Sequence, residues 1–184
     1  MTEIRCPPDC AYLAAAREHP AAAVVRRQQR DIGRLAASMR DLNRRQSALF
    51  AAIATFLARY EAPELQAPID ADVEEAATAL AATFETSLRG VIYEHQPASP
   101  VARRLAAAMM PAIRGAAGPH GGGTAFERDA GVVLRRLAEA SSATRASASE
   151  PPDAFIGLIR RIAGGLPDET EDLEDSPAPR LIVP

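Results

Sequence analysis

The sequence predicts an all-α protein, a helical bundle organised on one long heptad-patterned helix and followed by a disordered acidic C-terminal tail. Three observations predict it. The composition is 47% hydrophobic but only 4% aromatic, with no Trp, so the core must come from small side chains on closely packed helices. A seven-residue apolar repeat runs from Pro20 to Ala62. Beyond it, prolines, glycines and capping residues cut the chain into helix-sized lengths.

With Val25 as position a, the a sites of the repeat read Val25, Ile32, Met39, Gln46, Ile53 and Tyr60, and the d sites Gln28, Leu35, Leu42, Leu49 and Phe56. A 3.5-residue period lays one apolar stripe along a helix and requires a partner to cover it. As a single helix this stretch would be about 64 Å long. β-Branched residues at a with Leu at d favour two strands, and a polar Gln46 at an a site fixes register, so the expectation is a homodimer. The alternative is that later helices fold back over the seam, with Gly33 as a point where the long helix breaks.

Residues 1–19 read as a separate N-terminal cap containing both cysteines, residues 20–165 as the bundle and residues 166–184 as the tail. In the cap, Asp9 suits the N-cap of a short helix from Cys10 to about Glu18. Asp70 is placed to cap a second helix through about Glu94, with Val73, Leu80, Phe84, Leu88 and Val91 on one face, expected to lie against Leu49, Ile53 and Phe56. Ser99 caps a third helix from Pro100 to about Gly115, with Pro111 as a kink or break. Thr124 and Glu127 have capping-box spacing at the start of a fourth helix that runs to about Arg145. A fifth helix starts at Pro151-Pro152 and stops at Gly164-Gly165. The tail is acidic and proline-bearing, with too little apolar surface to order itself.

The sharpest chemical signal is Cys6-Pro7-Pro8-Asp9-Cys10, whose spacing lets two thiolates face one Zn²⁺. His19 is the nearest further ligand, so Cys6, Cys10 and His19 form the candidate metal set. A reversible disulfide and two plain cysteines are the competing readings. The glycine-rich run Gly118–Thr124 has no Lys before its Thr and no strand before it, which argues for an interhelical connector rather than a phosphate cradle. No Ser/His/Asp or Cys/His set and no Glu-x-x-His motif is present, so no enzymatic activity is expected. The carboxylates of Glu74 and Glu75 read as solvated.

Every basic residue is Arg, with ten Arg against five acidic residues in 1–60 and eleven against nineteen in 61–184. Arg26, Arg27, Arg30, Arg34, Arg40, Arg44 and Arg45 fall opposite the apolar seam, and the acidic residues 168–175 offer them a partner in the same chain. Missing stacking aromatics and an overall pI near 5.7 argue against nucleic acid. Arg180-Leu181-Ile182-Val183, after the acidic spacer, has the form of a peptide docking motif. The absence of an apolar leader-like stretch at Met1–Cys6, and only two cysteines, point to the cytoplasm. The expected function is a non-enzymatic helical interaction or scaffold protein. The alternative is a Zn-binding or thiol-redox-responsive regulator using Cys6 and Cys10.

Overall fold

A computed structural model describes residues 25–27, 29–63, 66–118, 123–146 and 150–165. The cap at 1–19 and the tail at 166–184 lie outside the described residues. Among those described, the regular elements are α1 (25–38, residue 28 apart), α2 (Arg44–Arg59), α3 (Asp70–Ser87), α4 (Pro100–Ala116), α5 (Thr124–Arg145) and α6 (Ala154–Gly165), with no strand. The fold is all-α.

The heptad stretch is two helices, where the sequence suggested one. α1 gives way at Met39, and the amides of Met39, Arg40 and Leu42 each bond to the carbonyl three residues back. Asn43 then starts α2: its side chain accepts from the Arg45 and Gln46 amides, each at 3.0 Å, and the Gln46 side chain accepts from the Asn43 amide at 3.1 Å. This reciprocal capping box satisfies donors that a continuous helix would have bonded internally. Gln46 is therefore a capping residue rather than a register-fixing core residue, and Gly33 lies inside α1 rather than at a break.

The seam is covered within the same chain. α2 buries Leu49, Phe50, Ile53 and Leu57 against α6, α5 and α4, not against α3 as expected. Leu35, Met39 and Leu42 pack half-buried on the same core. Three ion pairs fasten α1 and the turn after it to later segments: Asp31 to Arg161 of α6 at 2.7 Å, Arg34 to Glu150 at 3.1 Å and Asp41 to Arg136 of α5 at 3.3 Å. Val25 and Ile32 stay about half exposed.

α3 packs mainly on α5, with α4 on its other flank. The buried side of α3 carries Ala76, Ala77 and Ala81, each fully buried, beside Val73, Leu80 and Phe84, and Gly131 of α5 comes close to the Glu85 side chain. Residues as small as alanine and glycine let two helix axes approach toward the short end of the usual ~8–10 Å range. At its solvent edge Glu85 takes both Arg135 guanidinium bonds at 2.9 Å, and that guanidinium holds the Glu85 carboxyl below its ordinary value. α4 is capped by Ser99, whose hydroxyl accepts from the Ala102 amide, and it passes through Pro111 without interruption. Large side chains close the centre: Leu105, Met109 and Ile113 from α4, Leu134 and Leu137 from α5, Phe155 and Leu158 from α6. Each contributes about 1.5–3 kcal/mol on burial.

Two expected caps are built differently. Thr124 is the first residue of α5 after an N-cap at Gly123, and no capping box forms there; the Glu127 carboxylate instead accepts from the Ser87 hydroxyl at 3.1 Å. Asp70 does not cap α3. It is fully buried inside the first turn of α3, and its carboxylate crosses to the start of α6, accepting from the amides of Phe155 at 2.8 Å and Ile156 at 3.2 Å. The Asp70 amide donates to the Pro152 carbonyl, and its own carbonyl accepts from the buried Ser141 hydroxyl of α5 at 2.7 Å. One residue thus ties α3, α5 and α6 together. A carboxylate at a helix N-terminus also meets the positive end of that helix's dipole.

Burial pushes the Asp70 carboxyl above its ordinary value of 3.8, opposed by the two backbone bonds, which pull it down. A carboxyl raised on folding holds its proton more tightly in the folded state. Its contribution to stability is then full below the unfolded value and is lost as pH rises through the folded one. Urea unfolding should show wild type losing stability relative to Asp70→Asn as pH climbs from about 4 to about 7. The opposite slope would mean that the two amide bonds outweigh burial. Asp70→Ala, which strands both amides, should cost about 3 kcal/mol near pH 4 and less as pH rises.

Candidate functional site

α3 ends at Ser87, well short of the expected Glu94. Gly90 takes a left-handed backbone conformation (φ 78°), its amide bonding to the Ser87 carbonyl while the Val91 amide reaches the Thr86 carbonyl. A residue with a Cβ would be strained there, which is why the helix ends where the sequence supplies glycine. The chain from 91 to 97 then runs without helix or strand pairing to α4.

This strap is fixed to α3 from one side. The His95 amide donates to the Thr83 hydroxyl at 2.9 Å, and His95 Nε2 lies 3.0 Å from the Thr86 hydroxyl. Both threonine hydroxyls donate to carbonyls one turn back, Ala79 and Ala82, so each is left as an acceptor. That makes Nε2 the donor to the Thr86 hydroxyl. Further along, Glu75 accepts from the amides of Ala98 and Ser99, and the Ser99 hydroxyl donates to Asp72 at 2.8 Å. Glu74 pairs with Arg145 of α5. The two carboxylates that read as solvated in the sequence therefore hold the strap and α5 in place.

The other side of the strap is open. Val91, Ile92 and Tyr93 are 53%, 101% and 59% exposed. Tyr93 and His95 meet edge to face with ring centres 4.8 Å apart, the arrangement of alternate residues on one side of an extended chain. Among the described residues no hydrogen bond reaches the amides of Ile92, Tyr93 and Glu94. Beside them lies a groove of about 460 Å³ between the ends of α3 and α4 and the start of α5. Its apolar wall is Phe84, Met110 and Phe126, and its polar groups are Ser87, Arg114 and Glu127. Phe84 and Phe126 pack edge to face at 6.4 Å, giving that wall a fixed shape.

Of the residues singled out in the sequence, Cys6, Cys10 and His19 lie outside the described residues, as do positions 119–122 of the glycine-rich run. Within the described residues no three His, Cys, Asp or Glu side chains gather as a metal-ligand set. The Arg series divides: Arg34 and Arg45 form ion pairs with Glu150 and Asp129, while Arg26, Arg27, Arg30, Arg40 and Arg44 are exposed and form none among the described residues. No described helix is long and apolar enough to cross a membrane. The strap was assigned in the sequence to the helix before it; the glycine at 90 followed by three β-prone residues was the available signal. Compared with known proteins, the chain matches no family model, no curated protein sequence and no solved structure.

Proposed function

We propose that this protein is a non-enzymatic helical interaction protein that acts through protein–protein contacts, with the groove beside residues 91–94 as its docking surface. The observation that carries this reading is the run Val91-Ile92-Tyr93: three large side chains more than half exposed, with the Ile92 and Tyr93 amides unpaired among the described residues, next to an apolar groove. Exposed apolar patches with free backbone groups suit an extended partner segment, which gains main-chain hydrogen bonds from the strap and side-chain pockets from the groove. The bonding of His95, Glu75 and Ser99 supports it further, because a strap already fixed on one side loses little conformational freedom when a partner arrives on the other. The second reading, a Zn- or thiol-responsive regulator built on Cys6 and Cys10, draws no support from the described residues.

We also propose a homodimer in the cytoplasm. Support for the dimer comes from α1, where Val25 and Ile32, one heptad apart, are both about half exposed. The cytoplasmic placement rests on the sparse cysteines of the sequence.

A photo-crosslinking residue placed at position 92 should capture discrete polypeptides in the cells that make the protein, while one at the exposed Ala107 of α4 should not. Equal yields from the two positions contradict the docking surface. For the dimer, sedimentation equilibrium should give twice the chain mass of 19.5 kDa, and Ile32→Glu should return it to the single-chain mass with unchanged helical circular dichroism. Wild type sedimenting as a single chain overturns the dimer and leaves the groove reading untouched.

A further inference from the structure

We propose that the groove is closed in the free protein by the chain's own segment Arg180-Leu181-Ile182-Val183, which adds as an antiparallel strand to Val91-Ile92-Tyr93-Glu94. The inference rests on the reading of the groove as a peptide-docking surface and names what regulates it.

Three observations select this occupant. The first is chain length. From Gly165, the last helical residue, to Arg180 is about 15 residues, which span up to about 50 Å when extended. The longest helix, α5 with 22 residues, is about 33 Å long. The segment can therefore reach any face of the bundle. The second is β-propensity. Val91-Ile92-Tyr93 is a run of three β-prone residues, and Ile182-Val183, following Leu181, are two more. The second run lies between Pro179 and Pro184, which keep a helix from running through it. The strap offers the unpaired amides and exposed side chains that such a segment would pair with.

The third is charge in register. Antiparallel pairing of Ile92 with Ile182 places Tyr93 opposite Leu181, Val91 opposite Val183 and Glu94 opposite Arg180. Glu94 is exposed and has no ion pair among the described residues. Opposite charges directly across an antiparallel pair are favourable, and like charges there are unfavourable. A parallel arrangement would set Arg180 against Val91 and leave Glu94 facing Val183. Docking within one molecule works at high effective concentration, so a weak strand can hold the groove until a stronger partner displaces it.

Hydrogen exchange on the full chain tests this. The amides of Ile92, Tyr93 and Glu94 carry no bond from the described bundle, so unoccupied they should exchange near the unprotected rate. In wild type we expect at least about tenfold slower exchange at one or more of them, lost on Ile182→Asp, with exchange in α3 and α5 unchanged. Glu94→Arg and Arg180→Glu should each reduce the protection, and the double variant should restore it. Three results would overturn the proposal: no protection in wild type, protection indifferent to Ile182→Asp, or a double variant no better than the singles. Protection that grows with protein concentration would also overturn it, assigning the strand to a second copy. None of these results affects capture at position 92, so failure of the tail contact is separable from failure of the docking surface.

Discussion

The arrangement of the bundle depends on the buried carboxylate of Asp70. It sits where three helices meet, receives the first-turn amides of α6, and lies beside the Ser141 hydroxyl that bonds its own backbone carbonyl. A fully buried acid is costly unless its oxygens are satisfied, and here two backbone donors satisfy them. Those donors in turn would be orphaned at the start of a buried helix. Each group answers the other's unmet need, and the bond can form only with α3, α5 and α6 in one relative position. The interaction is thus more informative about geometry than about net stability, since burial and hydrogen bonding oppose each other in the carboxyl's proton affinity.

Fixing that end of α3 has consequences at the other. α3 lies along α5, so its C-terminal turn arrives beside the first turn of α5, where Ser87 meets Glu127 and Phe84 meets Phe126. Gly90 then releases the chain, and Thr83, Thr86, Glu75 and Asp72, all on α3, tie down the strap that follows. The groove is a product of helix placement on one wall and of strap anchoring on the other. What the two walls offer is apolar surface, main-chain donors and the exposed carboxylate of Glu94, which are the elements of peptide recognition.

Much of the fold was legible because helices announce themselves locally. Pro100 after Ser99, Gly164-Gly165 and the apolar face containing Val73, Leu80 and Phe84 all fall where the periodicity and end signals put them. The long helix failed for a physical reason: the 3.5-residue repeat persists through Met39 and Leu42, but Asn43 and Gln46 supply a capping box that competes with helix continuation. Gln46 was visible as a polar residue in the apolar stripe, and its meaning required its partner three residues earlier. Asp70 was read as a local cap because an acid before a helix usually is one; its acceptance of amides more than eighty residues away has no local signature. The same holds for Glu75. The groove was hidden by periodicity, since Leu88 and Val91 continue the α3 face on paper while Gly90 ends it in space.

Hydrogen exchange at two amides tests the role of Asp70 most directly. Phe155 and Ile156 occupy the first turn of α6, where amides ordinarily lack intrahelical partners and exchange through local fraying. If Asp70 holds the three helices together, both should exchange only through global unfolding, as slowly as the slowest amides of α3 and α5. Exchange at the rate of a frayed helix end would contradict the central place of Asp70 in the bundle.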